Sequence, residues 1–287
     1  MSVINILLLM SSIALETIKN LFSNGFSKSF LKTDTDIYKF NVFSYIGSFL
    51  AIVLFLRTGC SLFTIICAVF FAFSVNLNQV FFLKALSKGP MSLTCFVQGS
   101  GLIISTVFGV MICNEKIKLL QVLMLIVLIF SMGLALDVKK GKFEKGWLIY
   151  AFLAMVFMGL IGVMQTYHQI SDYKDELIPF LAIAFMISAV INIPLWKFRE
   201  NNYPSAFAIK SKAFALAIAS GAFMGAVHII NLYLSGAMPK VFFFPVVNGG
   251  LIFVTLISGV IFFKEKLNKK QIIGVILGTI ALSFIGL

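Results

Sequence analysis

Charge is what this chain has least of. Only 12% of its 287 residues are Asp, Glu, Lys or Arg, against 60% hydrophobic residues and a mean hydropathy of +1.02. That is too little polar surface to cover a water-soluble globule, so the composition excludes one and points to a bilayer. Acids are scarcest, 11 against 23 bases, for a net charge of +12. The bases stand singly or in short clusters between apolar runs, which argues for solvated loops and lipid headgroups and against a nucleic-acid partner. Two histidines and four cysteines (Cys60, Cys67, Cys95, Cys113) show no CxxC or Cys/His spacing. No disulfide framework, metal site or cofactor is indicated, and the cysteines read as helix-packing residues. The opening MSVINILLLMSSIALETIKN lacks a basic n-region and a small-residue cleavage signature, so a retained first helix is expected.

What the chain does have is apolar runs of about 20 residues, the length a helix needs to cross ~30 Å of hydrocarbon. Ten are counted: 2–22, 37–56, 61–86, 91–113 and 119–136, then 146–167, 177–196, 213–235, 241–263 and 271–287. The polar segment DVKKGKFEK at 137–145 divides them five and five. The expected fold class is therefore an all-α integral membrane protein of ten transmembrane helices, with domains 1–136 and 146–287 joined by the 137–145 linker.

One stretch occurs twice. VQGSGLIISTVFGVMICNEKIKLLQ starts at Val97, and VNGGLIFVTLISGVIFFKEKLNKKQ starts 150 positions later at Val247. The matched Gly99/Gly249, Gly109/Gly259, Glu115/Glu265, Lys116/Lys266 and Gln121/Gln271 indicate an internal duplication. Five spans is an odd number, so the second copy enters the membrane from the opposite side and the repeat is inverted. Only five of the 23 bases, Arg57, Lys116, Lys118, Lys174 and Lys240, fall on the side of the termini. The positive-inside rule then puts both termini outside the cytoplasm. Trp147 and Trp196, near the lysine-rich interface, read as belt residues. Gly221/Gly225 and Gly274/Gly278 have the GxxxG spacing of closely packed helices.

Polar groups inside apolar spans are expensive and need a reason. Glu16 is the only carboxylate deep in a span. It reads either as a proton-coupling or cation-binding group or as a charge neutralised by Lys19, three residues on and on the same face. Asn76 and Gln79 on the third span match His228 and Asn231 on the eighth, and aligning Pro90 with Pro239 superposes Gln79 on His228. They read as a substrate site on the axis between the halves or as interhelical hydrogen bonds. His228 is a group of the type that changes charge near neutral pH. Gln98 and Asn248 sit near mid-membrane, each followed by glycine, Gly99 and Gly249, which permits unwinding or close approach. Pro245 is expected to kink the ninth span. These residues read as a binding device, with tight packing as the alternative. Glu115 and Glu265 read as acids near the following helix's N-terminus. Gln165 and His168 are candidates for an entrance lining.

The chain resembles the drug/metabolite transporter superfamily, of the EamA-type ten-helix kind. The residues that carry the resemblance are FFLKALSKGPMSL (81–93), the twin E-K-hydrophobic turns ending at Gln121 and Gln271, and LETIKNLFSNGFSK (15–28). The last is similar to the first helix of the small multidrug transporters. The resemblance implies two inverted five-helix repeats around a central cavity that opens alternately to either side. It also implies a small-metabolite cargo and, by likeness to the small multidrug transporters, a coupling role for Glu16. It implies cytoplasmic termini, against the lysine count.

The expectation is a secondary active transporter of the cell membrane, not an enzyme. Its cargo is an amino acid, organic cation or similar solute, its partners are that solute and the lipid bilayer, and it acts as a monomer or homodimer. A lipid-carrier flippase is the nearest alternative. An integral-membrane enzyme would need a cluster of acids, histidines or metal ligands, and a purely structural protein would not need polar residues matched between halves.

Overall fold

The computed structural model describes residues 3–56, 59–113, 118–135, 144, 146–200, 211–264 and 267–285. These residues form α-helices joined by short connections, with no strand among them. In chain order the helices are α1 Val3–Ser29, α2 Asp34–Val53, α3 Leu62–Lys88, α4 Met91–Gly99, α5 Leu102–Cys113 and α6 Leu119–Ala135. They continue as α7 Trp147–Gln169, α8 Leu177–Glu200, α9 Ser211–Ala237, α10 Lys240–Phe263 and α11 Lys269–Ile285. Seven helical segments are long and apolar enough to cross a membrane, with α4 and α5 counted as one. Among the others, α2 carries Asp34, Asp36 and Lys39, and α6 and α11 are 17 residues each. The composition and these helices together describe a multi-pass membrane protein.

Among the described residues, nine of the ten apolar runs fall on one helix each, and 91–113 falls on two, α4 and α5. Their ends follow from local chemistry. Ser61 caps α3, its hydroxyl accepting from the Thr64 N–H. A capping box of Thr33 and Asp36 starts α2. The repeated glutamines cap in parallel fashion: Gln121 accepts from the Lys118 N–H at 2.9 Å before α6, and Gln271 from the Asn268 N–H at 3.0 Å before α11. Glu115, Lys116, Glu265 and Lys266 lie outside the described residues, as does the 137–145 linker except Glu144, which pairs with Lys88 at 3.0 Å.

The two halves interlock. α1 packs on α9, and α3 on α7; α2 lies against α8 and α9, and α6 against α11. The Gly221/Gly225 pair is what lets α9 meet α2, because a Cβ at Gly221 would collide with the Ser44 carbonyl. Ser44 and Ser48 then donate to the carbonyls of Ala217 and Gly221 at 2.9 and 2.8 Å. Trp147 departs from the belt role. It is 2% exposed, fills the slot left by Gly89, and its indole N–H donates to the Thr94 hydroxyl at 2.9 Å. Of the cysteines, Cys67 and Cys95 are buried packing residues, whereas Cys60 is exposed.

Candidate functional site

A cavity lies at the centre of the bundle, walled by α1, α3, α5, α7, α9 and α10, so both halves of the chain contribute. Its volume is about 50 Å³, room for a few water molecules at roughly 10–15 Å³ each. Polar side chains converge on it from helices far apart in sequence.

Glu16 and Lys19 come from mid-α1, paired at 2.5 Å with side chains 9% and 7% exposed. The three-residue spacing brings them together on one helix face. From α3 come Asn78 and Gln79, and from α9 His228 and Asn231. Gln165 of α7 meets the His228 ring nitrogen at 3.1 Å, and the Ser12 hydroxyl of α1 donates to Asn231 Oδ1 at 2.5 Å. Asn248 of α10 gives its amide N–H to the Phe244 carbonyl at 2.8 Å. Two buried polar atoms on lining residues, Gln79 Nε2 and Asn248 Oδ1, have no hydrogen-bond partner among the described residues. A buried group left in that state costs about 1–3 kcal/mol, which a ligand supplying the partner recovers. Among the described residues no group of three acids, histidines or cysteines could hold a metal ion.

Of the residues expected to bind substrate, Gln79, His228, Asn231 and Asn248 line the cavity, and Glu16 joins them. Asn76 does not. It points away from the cavity to a ladder of asparagines, where Asn192 of α8 donates to Asn76 Oδ1 and accepts from Asn41 of α2 at 3.3 Å. That is the interhelical alternative. Gln98 stands behind the wall, donating to Asn78 Oδ1 at 3.1 Å, while Asn78 donates to the Ala154 carbonyl at 2.8 Å.

The glycines divide in the same way. After Gly99 the helix breaks at Ser100 and Gly101, whose N–H groups take the tighter i−3 carbonyls of Val97 and Gln98 at 3.2 and 3.0 Å. A Cβ at Gly101 would collide with the Met155 carbonyl, so the break is also a point of close approach to α7. Around Gly249 and Pro245, by contrast, α10 runs unbroken from Lys240 to Phe263. Of the two entrance candidates, Gln165 reaches the cavity, whereas His168 is buried elsewhere, against the Thr64 hydroxyl at 3.2 Å.

Asn78, Lys19 and Ser105 are cavity residues beyond those the sequence marks as binding groups. The signal for Asn78 was present, because it precedes Gln79 on the same helix. Beyond the cavity, α1 continues as a buried polar stripe of Asn20, Ser23, Asn24 and Ser27. Both side-chain atoms of Asn20 and Asn24, with the Ser27 and Thr35 hydroxyls, are buried without partners among the described residues.

No family model matches the chain, and no curated protein matches it. Among solved structures 28 chains match. One, described only as "Crystal structure of protein", aligns over 99% of this chain and 96% of its own with a TM-score of 0.66 at 11% identity. At that identity the likeness is one of fold.

Proposed function

We propose that the protein is a secondary transporter of the drug/metabolite transporter kind, moving a small metabolite across the cell membrane by alternating access. In this reading ten spans form two inverted five-helix halves, and the central cavity between them holds the cargo. The observation that carries it is the convergence of polar side chains from both halves on one buried cavity at mid-bundle. Polar groups inside a membrane bundle mark a solute path when they face a cavity.

Two further features support it. The helix packing survives exchange of the halves: α1 on α9 matches α7 on α3, α1 on α3 matches α7 on α9, and α2 on α8 and α6 on α11 are each their own match. The partnerless stripe at Asn20, Asn24 and Ser27 continues the polar wall toward the far end of α1. Groups buried there without partners are what a closed half of a path would contain.

Glu16 carries its own counter-ion in Lys19, which favours local neutralisation over proton coupling. Lys19 and His228 are the other titratable groups of the cavity wall. If Glu16 nevertheless couples a proton, Glu16→Gln removes the pH dependence of transport; an unchanged pH profile removes the coupling role. The transporter reading itself is tested with purified protein in liposomes and a broad metabolite panel. Uptake of a small solute is expected. Lipid turnover with no solute uptake would replace the transporter by a flippase.

A further inference from the structure

We infer that the central cavity is a site for a compact zwitterion, a molecule whose ammonium and carboxylate lie close together, and that it binds by exchanging its two charges for those of the Glu16–Lys19 pair. The biological use of such a site rests on the transporter reading. Its chemistry rests on the wall of the cavity.

Among the described residues, Glu16, Lys19 and His228 are the only ionisable side chains in that wall. Each is the other's only hydrogen-bond partner among the described residues. An ammonium offers three donors and a carboxylate several acceptor positions, so both ions have unused capacity. A cation alone, bound to Glu16, would strand the Lys19 charge; an anion alone, bound to Lys19, would strand Glu16. A buried charge without its partner is strongly unfavourable. A ligand of both signs compensates both ions and leaves the cavity neutral. Because the pair is in contact at 2.5 Å, the two ligand charges that replace it must also be near neighbours, as they are on a single α-carbon.

The two partnerless atoms point the same way. Gln79 Nε2 is a donor and Asn248 Oδ1 an acceptor, on residues 2% and 5% exposed. A carboxylate can take the Gln79 N–H together with Lys19, and an ammonium can give to Asn248 together with Glu16. Lys19 with Gln79, and Glu16 with Asn248, thus supply donors and acceptors on lining residues for the two ends of one zwitterion. The rest of the wall mixes the uncharged polar groups of Asn78, Ser105 and Gln165 with the apolar side chains of Val75, Met224 and Phe243, and matches an uncharged ligand side chain. A volume of about 50 Å³ favours a small ligand.

Equilibrium binding to the purified full chain in lipid nanodiscs tests this without requiring flux. The probes are L-alanine and L-leucine, each with its matched amine lacking the carboxylate and its matched acid lacking the ammonium. The wild type is expected to bind at least one of the amino acids tenfold or more tightly than its matched amine and acid, about 1.4 kcal/mol by the usual relation. Lys19→Gln is expected to turn the preference to the amine, and Glu16→Gln to the acid. Asn248→Ala, which leaves the ion pair intact, is expected to weaken amino-acid binding several-fold. A wild type that binds neither amino acid, or binds an amine or acid as tightly as its amino acid, overturns the inference, and this series needs no variant to fold. Zwitterion binding without flux would remove the transporter and leave the site standing. Flux of another solute without zwitterion binding would do the reverse.

Discussion

Removing one member of the Glu16–Lys19 pair should destabilise the protein, and removing both should largely restore it. The two side chains meet at 2.5 Å in the middle of α1 and are 9% and 7% exposed, so water screens them little. Taking away one partner from such a pair costs about 3–5 kcal/mol, because the survivor is left charged and buried, whereas replacing both is close to neutral or mildly stabilising. The pair borders a cavity with room for a few waters, which places each single change near the lower end, about 3 kcal/mol. At roughly 2 °C per kcal/mol for a chain of this size, Glu16→Gln and Lys19→Gln should each lower the unfolding midpoint by about 6 °C. The double variant should return to within about 2 °C of the wild type. Thermal unfolding in one detergent, followed by tryptophan fluorescence with all four proteins in parallel, measures the cycle. A double variant that loses the sum of the two single losses would show that the ions do not depend on one another and that the wall has no need to stay neutral.

Three further outcomes follow from the packing and the polar stripe. Asn192→Leu breaks the Asn41–Asn192–Asn76 ladder and should lower stability by about 1 kcal/mol, the usual size for interhelical hydrogen bonds in membranes. Ligand binding should be unaffected, and a loss of binding at unchanged stability would return Asn76 to the cavity. Gly221→Val drives side-chain atoms into the Ser44 carbonyl at the α2–α9 contact and should abolish recovery of monodisperse protein. Normal gel filtration would show that these helices do not meet as described. Asn24→Cys, in a background with the four native cysteines replaced, should react slowly with a water-soluble maleimide at rest and faster during turnover. Equal rates in both conditions would remove the stripe from the solute path.

The helices were legible because each apolar run is long enough to be nothing else, and the connections between them are short. The central pairing was legible too. Glu16, Gln79, His228, Asn231 and Asn248 could be picked out because each is a polar residue near the middle of an otherwise apolar run. What the runs do not reveal is rotation about the helix axis. At ~100° per residue, Val75, Asn78 and Gln79 share one arc of α3, and Asn76 lies ~110° from its centre. Asn76 therefore faces α8 although it is three residues from Gln79. Gln98 sits one layer behind the wall because Asn78, unremarked in the sequence, comes between. Trp147 resembled a belt residue because a tryptophan at a span end usually is one. Its burial depends on Gly89, whose missing side chain opens the slot, and that is a tertiary fact. The duplicated glycines mislead in a similar way. The two copies share Gly99 and Gly249, yet the first copy also has Gly101, and the chain breaks only there.

Counterflow in proteoliposomes tests the central claim most directly. Vesicles containing the protein and loaded with unlabelled neutral amino acid are diluted into a trace of the same labelled compound. A carrier working through the central cavity should accumulate label transiently above its equilibrium level, and Asn248→Ala should reduce that accumulation several-fold at equal protein content. If the label only equilibrates, at the rate of protein-free vesicles, for every amino acid to which the protein binds, then the cavity is a binding site and the chain is not a carrier for it.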